Sequence, residues 1–313
     1  MIPSVDLRDF MSSDPVKKQA FVQALGKAYE DIGFVAVRGH LLDTETSEKL
    51  YHQCQEFFGL SDEHKTSYEV PGLSGQRGYT SFGKEHAKGR NEGDLKEFWH
   101  FGQTVEDGDQ IKKEYPDNVF VDALPDFGKY GIKAYKELEE TGKYMLRAIA
   151  LYLGLQETYF DDKIHNGNSI LRPIHYPPIT GEPKSAVRAA EHEDINLITL
   201  LMGASAEGLE VLNKQNEWVA ITALPEQLVV NVGDMLQRLT NNKLKSTTHR
   251  VVNPPRVKWA NSRFSIPFFL HPRSEMKLDC LTVCVDADNP AQYEPITAGE
   301  YLNERLREIG LKK

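Results

Sequence analysis

Residues 192–201 read HEDINLITLL, a polar triplet followed by a run rich in Leu and Ile. Successive side chains of an extended chain point to opposite faces, so residues two apart share a face. If the triplet is extended, His192 and Asp194 converge on one face and Glu193 points away. The stretch therefore predicts a β-rich environment in which an imidazole and a carboxylate lie side by side.

The sequence on both sides of this stretch, from residue 170 onward, consists of short segments rich in Val, Ile, Leu and Thr. Clusters of Gly, Pro, Asn and Asp separate them, as expected for strands and turns. The predicted strands are Ile170–Tyr176, Asn196–Met202, Leu209–Leu212, Trp218–Ile221, Gln227–Val232, Thr248–Val252, Arg263–Leu270 and Leu281–Val285. Eight short strands at this spacing favour a jelly roll over alternating strand–helix units.

The first 160 residues favour helices, with a few early strands. Asp14-Pro15 predicts a helix start, because a capping side chain precedes a proline, and Gly33 predicts the end of that helix. Further helices are predicted over 44–58, 126–153 and 296–313. No linker or repeat divides the chain. We therefore predict one domain over 1–313, with a mainly helical region over 1–160, a β core over 170–290 and a terminal helix over 296–313.

Composition excludes several functional classes. The formal net charge is −9, and the basic patch of a nucleic-acid-binding protein is missing. No run approaches the roughly 20 apolar residues of a membrane span, and the start MIPSVDLRDF lacks the features of a signal peptide. The three cysteines, Cys54, Cys280 and Cys284, do not suggest a disulfide framework. We expect a cytoplasmic protein with no nucleic-acid, membrane or obligate protein partner.

A third metal ligand is found further along the chain. His249 begins the strand-like run His249-Arg250-Val251-Val252 and could face the first pair across a jelly roll. Two histidines and one carboxylate on one side of a metal form the ligand set of non-haem iron(II) oxygenases, which leaves positions open for a cosubstrate and O₂. The same donors also suit catalytic zinc, so a zinc hydrolase is an alternative.

Arg263 and Ser265 lie two apart on the next predicted strand and so share a face. Arginine grips a carboxylate through two parallel hydrogen bonds, and a hydroxyl beside it adds another. This pair therefore indicates a receptor for the far carboxylate of a dicarboxylic acid. A zinc hydrolase would leave the pair unexplained.

The chain resembles the isopenicillin N synthase-like family of iron(II)/2-oxoglutarate oxygenases over nearly its whole length. The matching segments are Ile2–Leu7, Gly33–Val37 with Gly39-His40, Arg77-Gly78-Tyr79, Asp94–Glu97, residues 192–201, Gly208–Val211, Asn231–Asp234, His249-Arg250-Val251 and Arg263-Phe264-Ser265. Glu193 stands where relatives usually carry Thr. Ile174 stands where many relatives carry an Asn that contacts the cosubstrate, and Arg172 and His175 are candidates to replace that contact.

The resemblance implies a double-stranded β-helix, which is a distorted, cupin-like jelly roll, in a mostly β fold with flanking helices. It implies that His192, Asp194 and His249 bind Fe(II). It also implies that Arg263, Ser265 and Tyr176 bind the far carboxylate of 2-oxoglutarate. Substrate contacts are expected at positions Arg77, Tyr79 and Phe268, and His100 is a further candidate because of its aromatic neighbours.

The expected function is oxidation of a small molecule, with hydroxylation as the default outcome, by Fe(II), 2-oxoglutarate and O₂ with release of succinate and CO₂. One alternative is an iron oxidase or cyclase of the same fold that does not use 2-oxoglutarate. Another is a non-catalytic barrel that binds a metal or ligand. Metal-dependent O₂ consumption separates an enzyme from the latter.

Overall fold

The structure is a computed structural model, which describes residues 2–73, 75–85, 93–183, 186–203 and 208–308. Helices in these ranges are α1 (Leu7–Met11), α2 (Pro15–Asp31), α3 (Thr44–Phe58), α4 (Asp62–Thr66), α5 (Pro125–Tyr152), α6 (Asp161–Ile164), α7 (Asp234–Leu239) and α8 (Ala298–Glu308). Strands are β1 (Ser4–Asp6), β2 (Phe34–Arg38), β3 (Gly78–Thr80), β4 (Glu97–Gly102), β5 (Ile170–Leu171), β6 (Ile174–Tyr176), β7 (Ala189–His192), β8 (Ile198–Met202), β9 (Leu209–Leu212), β10 (Trp218–Ala220), β11 (Leu228–Val232), β12 (His249–Val251) and β13 (Arg263–Leu270).

The strands form two sheets. The larger sheet has the order β1-β2-β11-β8-β13-β5-β4-β3, and β6 pairs with both β13 and β4. The smaller sheet has the order β10-β9-β12-β7. Several chain-consecutive strands fall in different sheets, and the two sheets with their flanking helices form the predicted jelly-roll core. The predicted fold class is confirmed.

Three helices of the first half pack against the larger sheet: α2 against β1 and β2, α4 against β3, and α5 against β4, β5, β8 and β13. Asp14 accepts hydrogen bonds from Val16 and Lys17 and so caps α2 as predicted. Helix α5 lies against β13 and β8, and Gly142 lets it approach closely, because a Cβ there would lie 2.3 Å from Leu270 Cδ1. This helix thus supports the two strands that carry much of the site described below.

Two predicted strands are wrong in part or in full. Residues 170–176 form two strands, since Pro173 has no N–H for the ladder and β5 and β6 pair with different parts of β13. Residues 281–285 form a 3₁₀ turn over Thr282–Cys284. There the amide of Leu281 donates to Leu239, and the amide of Cys284 donates back to Leu281 rather than to a neighbouring strand. The composition of this segment favours a strand, but no described strand pairs with it.

Candidate active site

The three predicted metal ligands come together where the two sheets meet. His192 ends β7, Asp194 lies in the turn between β7 and β8, and His249 begins β12 directly opposite His192. Asp194 Oδ1 lies 3.8 Å from His192 Nε2 and 3.6 Å from His249 Nε2. One potential ligand atom from each residue lies within 4.8 Å of the others. In the described part of the chain these three side chains form a group that can hold a metal ion.

Backbone carbonyls orient both imidazoles. His192 Nδ1 donates to the carbonyl of Ala190 at 2.7 Å, and His249 Nδ1 donates to the carbonyl of Thr247 at 3.1 Å. A carbonyl oxygen only accepts, so each Nδ1 carries a proton, and each Nε2 faces Asp194 and is the ring nitrogen available to a metal. Once Nε2 is deprotonated, two imidazoles and one carboxylate on one side of a cavity would hold Fe(II) and leave positions open for exchangeable ligands.

Asp194 is held so that one of its oxygens faces the imidazoles. Its Oδ2 accepts hydrogen bonds from Thr199 Oγ1 at 2.7 Å and from Asn231 Nδ2 at 2.8 Å, and Asn196 Nδ2 donates to Thr199 at 2.8 Å. Burial alone would raise the pKa of Asp194, but the charge and hydrogen bond of His249, the charge of His192 and the hydrogen bond from Asn231 hold that pKa well below its usual range. The carboxylate is therefore ionised and has Oδ1 left to bind a metal.

Replacing Thr199 by Val is expected to lower Fe(II) affinity by about 10- to 100-fold, the usual effect of losing a side chain that orients a metal ligand. The variant keeps the shape of the side chain but loses the donor to Asp194. Anaerobic Fe(II) titration measures the effect. Thr240→Val is the matched control, because Thr240 is also buried but donates to the Leu236 carbonyl in α7. Equal affinity in Thr199→Val and wild type would contradict the orienting role.

The predicted carboxylate receptor lies on neighbouring strands. Arg263 and Ser265 project from β13, and Tyr176 on β6 is the cross-strand neighbour of Arg263. The guanidinium of Arg263 lies 4.9 Å from the centre of the Tyr176 ring, and Arg263 is only 1% exposed. All three side chains line the same cavity as the metal ligands. The structure thus brings together all six residues predicted for the metal and the cosubstrate.

A second arginine near Tyr176 was not predicted from the sequence. Arg188 is buried, and its guanidinium lies 5.9 Å from the centre of the Tyr176 ring. The guanidinium of Arg263 contacts the same ring. It donates to the Asn261 carbonyl at 3.0 Å. Burial, followed by the charge of Arg263, lowers the pKa of Arg188. The positive potential of both guanidinium groups favours an anion at this end of the cavity.

The predicted substrate residues divide into two groups. His100 lines the cavity. Arg77 instead donates to Gln103 at 2.8 Å, and Tyr79 hydrogen-bonds Glu97. Phe268 faces Tyr135 at a ring distance of 5.0 Å, while the adjacent Pro267 and Phe269 line the cavity. The structure therefore does not bring Arg77, Tyr79 or Phe268 to the cavity.

The two residues proposed to replace the missing Asn also differ. Arg172 and Ile174 line the cavity. His175 points away, because its Nδ1 hydrogen-bonds Glu97 at 2.7 Å and its ring stacks on Phe264 at 4.7 Å. Arg172 is therefore the one of the two candidates that reaches the cavity.

Four charged side chains form a buried chain along the cavity wall. Glu85 lies between Arg172 at 3.2 Å and Lys96 at 2.7 Å, and Lys96 also contacts Asp94 at 2.9 Å. The charges of Arg172 and Lys96 hold the pKa of Glu85 well below its usual range, although burial opposes them. Two cations and two carboxylates neutralise one another here. The family resemblance pointed to Arg172 and to the segment Asp94–Glu97, but the sequence did not indicate that these residues would join Glu85 in a buried chain of charges.

Comparison with known proteins identifies the family. Residues 2–123 match the family described as non-haem dioxygenase in morphine synthesis N-terminal, and residues 167–272 match the 2OG-Fe(II) oxygenase superfamily, where 2OG is 2-oxoglutarate. A proline hydroxylase of Petromyces alliaceus is 31% identical over 97% of this chain and 98% of its own length. The chain belongs to the 2OG-Fe(II) oxygenase superfamily.

Solved structures of related proteins share the whole fold. A Caulobacter crescentus protein assigned to the 2OG-Fe(II) oxygenase family is 42% identical, with a TM-score of 0.89, over 98% of this chain and 99% of that chain. A full-length Neurospora crassa protein in complex with alpha-KG (alpha-ketoglutarate, another name for 2OG) is 29% identical, with a TM-score of 0.85, over 98% of this chain and 96% of that chain.

Membership of the 2OG-Fe(II) oxygenases confirms the predicted reaction class. The protein is an oxidoreductase that uses Fe(II), 2OG and O₂ to oxidise a small-molecule substrate. The donor set alone also suited zinc, and family membership decides between the two metals. No helix in the described ranges combines the length and the apolar character that crossing a membrane requires.

Proposed function

We propose that the protein hydroxylates a C–H bond of a small molecule bound in the cavity between the metal ligands, β5, β13 and α8. His192, Asp194 and His249 would hold Fe(II), and Arg263, Ser265 and Tyr176 would bind the far carboxylate of 2OG. When bound, Fe(II) with 2OG supplies the oxidising chemistry with O₂, and succinate and CO₂ are released. The observation that carries the proposal is that both residue sets line one cavity.

The cavity limits the size of the substrate. Its volume is about 210 Å³, below the roughly 300–1,000 Å³ of pockets for drug-sized ligands. Leu302 and Leu306 of α8 form part of its wall, and Tyr301 tethers α8 by donating to Asp234 Oδ2 at 2.9 Å. Residues 309–313 of the predicted terminal helix lie outside the described residues.

The names of the relatives support hydroxylation as the outcome, because one of them is a proline hydroxylase. The name of that relative does not identify the substrate of this protein. A cytoplasmic location, a single domain and independence from protein and nucleic-acid partners remain predictions from the sequence.

The test is anaerobic addition of Fe(II) and then 2OG to the full chain, with detection of the weak visible charge-transfer band of a chelated keto acid. We expect the band to appear once both Fe(II) and 2OG are present. Subsequent O₂ should produce succinate. Iron binding without a band would contradict the assignment of Arg263, Ser265 and Tyr176, and absence of iron binding would contradict the metal assignment.

A further inference from the structure

One wall of the cavity is a regular cross-strand ladder. Phe269 on β13 pairs with Ile170 on β5, and the amide of Arg172 donates to the Pro267 carbonyl at 2.9 Å. Just beyond these pairs the amide of Asn168 donates to Pro272 at 3.2 Å. Alternate residues of both chain segments therefore face the cavity. The residues on this face are Pro267, Phe269, His271, Asn168, Ile170 and Arg172.

The ladder ends in the polar side chains of Asn168 and His271, each of which has one hydrogen-bonding atom unused. Asn168 Oδ1 and His271 Nδ1 are buried, and neither has a partner among the described residues. His271 is only 7% exposed, yet it lines the cavity. Buried polar groups in native proteins are nearly always hydrogen-bonded, so two cavity-lining side chains with spare hydrogen-bonding capacity suit a polar ligand or an ordered water.

Among the described residues, each charged side chain along this wall has a partner of opposite charge. Arg172 is neutralised by Glu85, and Lys96 lies between Glu85 and Asp94. Burial lowers the pKa of His271 to about 4, so its imidazole is uncharged at neutral pH. A charged substrate group placed against this wall would lose its hydration without gaining a free counter-ion from the wall's described residues, which is unfavourable in a buried site.

We propose that Asn168 and His271 form an uncharged hydrogen-bonding subsite, and that the substrate is a small neutral molecule that presents a carboxamide or lactam edge to it. An asparagine side chain and a neutral imidazole each offer a donor and an acceptor, which complement the C=O and N–H of an amide. The apolar part of the substrate lies against Ile170 and Phe269. This inference rests on the proposed function, because it places the substrate in the same cavity.

The test uses three probes of similar size: δ-valerolactam, valerate and pentylammonium. Binding of each probe to the full chain is measured by anaerobic equilibrium dialysis in the presence of Fe(II) and 2OG. We expect δ-valerolactam to bind at least about tenfold more tightly than either charged probe. His271→Leu and Asn168→Leu should each weaken lactam binding by about tenfold, the effect of one lost hydrogen bond to a buried group. His165→Leu, at an exposed histidine, is the matched control.

Asn168→Asp gives a second, independent readout, because it changes charge at nearly constant shape. It should weaken lactam binding and make pentylammonium the preferred probe. Absence of lactam binding, tighter binding of valerate, or unchanged preference in Asn168→Asp would overturn the proposal. The charge-transfer band is recorded in the same samples, and the dialysis is repeated without Fe(II) and 2OG. Absence of the band in wild type would contradict the proposed function, whereas the probe preferences test the subsite alone.

Discussion

The His249→Ala variant is expected to lose Fe(II) binding and with it all 2OG turnover. His249 supplies one of three ligands, and its Nε2 lies 3.6 Å from Asp194 Oδ1. Loss of a ligand should exceed the 10- to 100-fold loss of affinity that typically follows removal of an outer-shell partner. The measurement is anaerobic Fe(II) titration followed by 2OG, with the visible band and succinate production as readouts.

His40→Ala is the matched control for this variant. The His40 side chain is half-buried and hydrogen-bonds the Glu226 carbonyl at 3.1 Å, away from the cavity-lining residues. It should bind Fe(II) like wild type. Far-ultraviolet circular dichroism of both variants separates loss of metal from loss of fold, since the His249 ring also packs at 5.7 Å from Phe34. A full-strength band in His249→Ala would refute its assignment as a ligand.

The metal ligands could be predicted from the sequence because local geometry determines much of their arrangement. His192 and Asp194 are two residues apart, and the expectation that an extended chain would bring them together required no knowledge of the tertiary fold, although Asp194 lies just beyond the end of β7. His249 was placed by its position in a later strand-like run and by family resemblance. The same reasoning placed Arg263 and Ser265 on one face of β13.

Other parts of the site depend on strand register and tertiary contacts. Phe268 was predicted to face the substrate, but its neighbours Pro267 and Phe269 do so, because a one-residue difference reverses the face of a strand. Arg188 is separated from Arg263 by many residues, and only the folded chain places both beside Tyr176. No local pattern in the sequence encodes such a contact.

The Arg263→Ala variant is expected to raise the 2OG concentration for half-saturation by roughly 30-fold to several-thousand-fold. Removing one member of a buried charge pair costs about 2–5 kcal/mol, and each 1.4 kcal/mol is a factor of about ten. Fe(II) affinity should stay close to wild type, because Arg263 contributes no ligand to the metal. The readout is the visible band, titrated with 2OG at fixed Fe(II) without O₂.

Arg263→Lys distinguishes charge from geometry at this position. Lysine keeps the positive charge but cannot form two parallel hydrogen bonds to a carboxylate, so it should recover only part of the 2OG affinity. Arg256→Ala removes an arginine that pairs with Glu182 at 3.2 Å on the exposed surface, and it should titrate like wild type. Unchanged half-saturation in Arg263→Ala would mean that 2OG is held elsewhere, and Arg172 and Arg188 would be the next arginines to replace. If the 2OG concentration for half-saturation rises in Arg263→Ala but not in Arg256→Ala, the far carboxylate lies beside Tyr176, because Arg263 covers the ring of Tyr176.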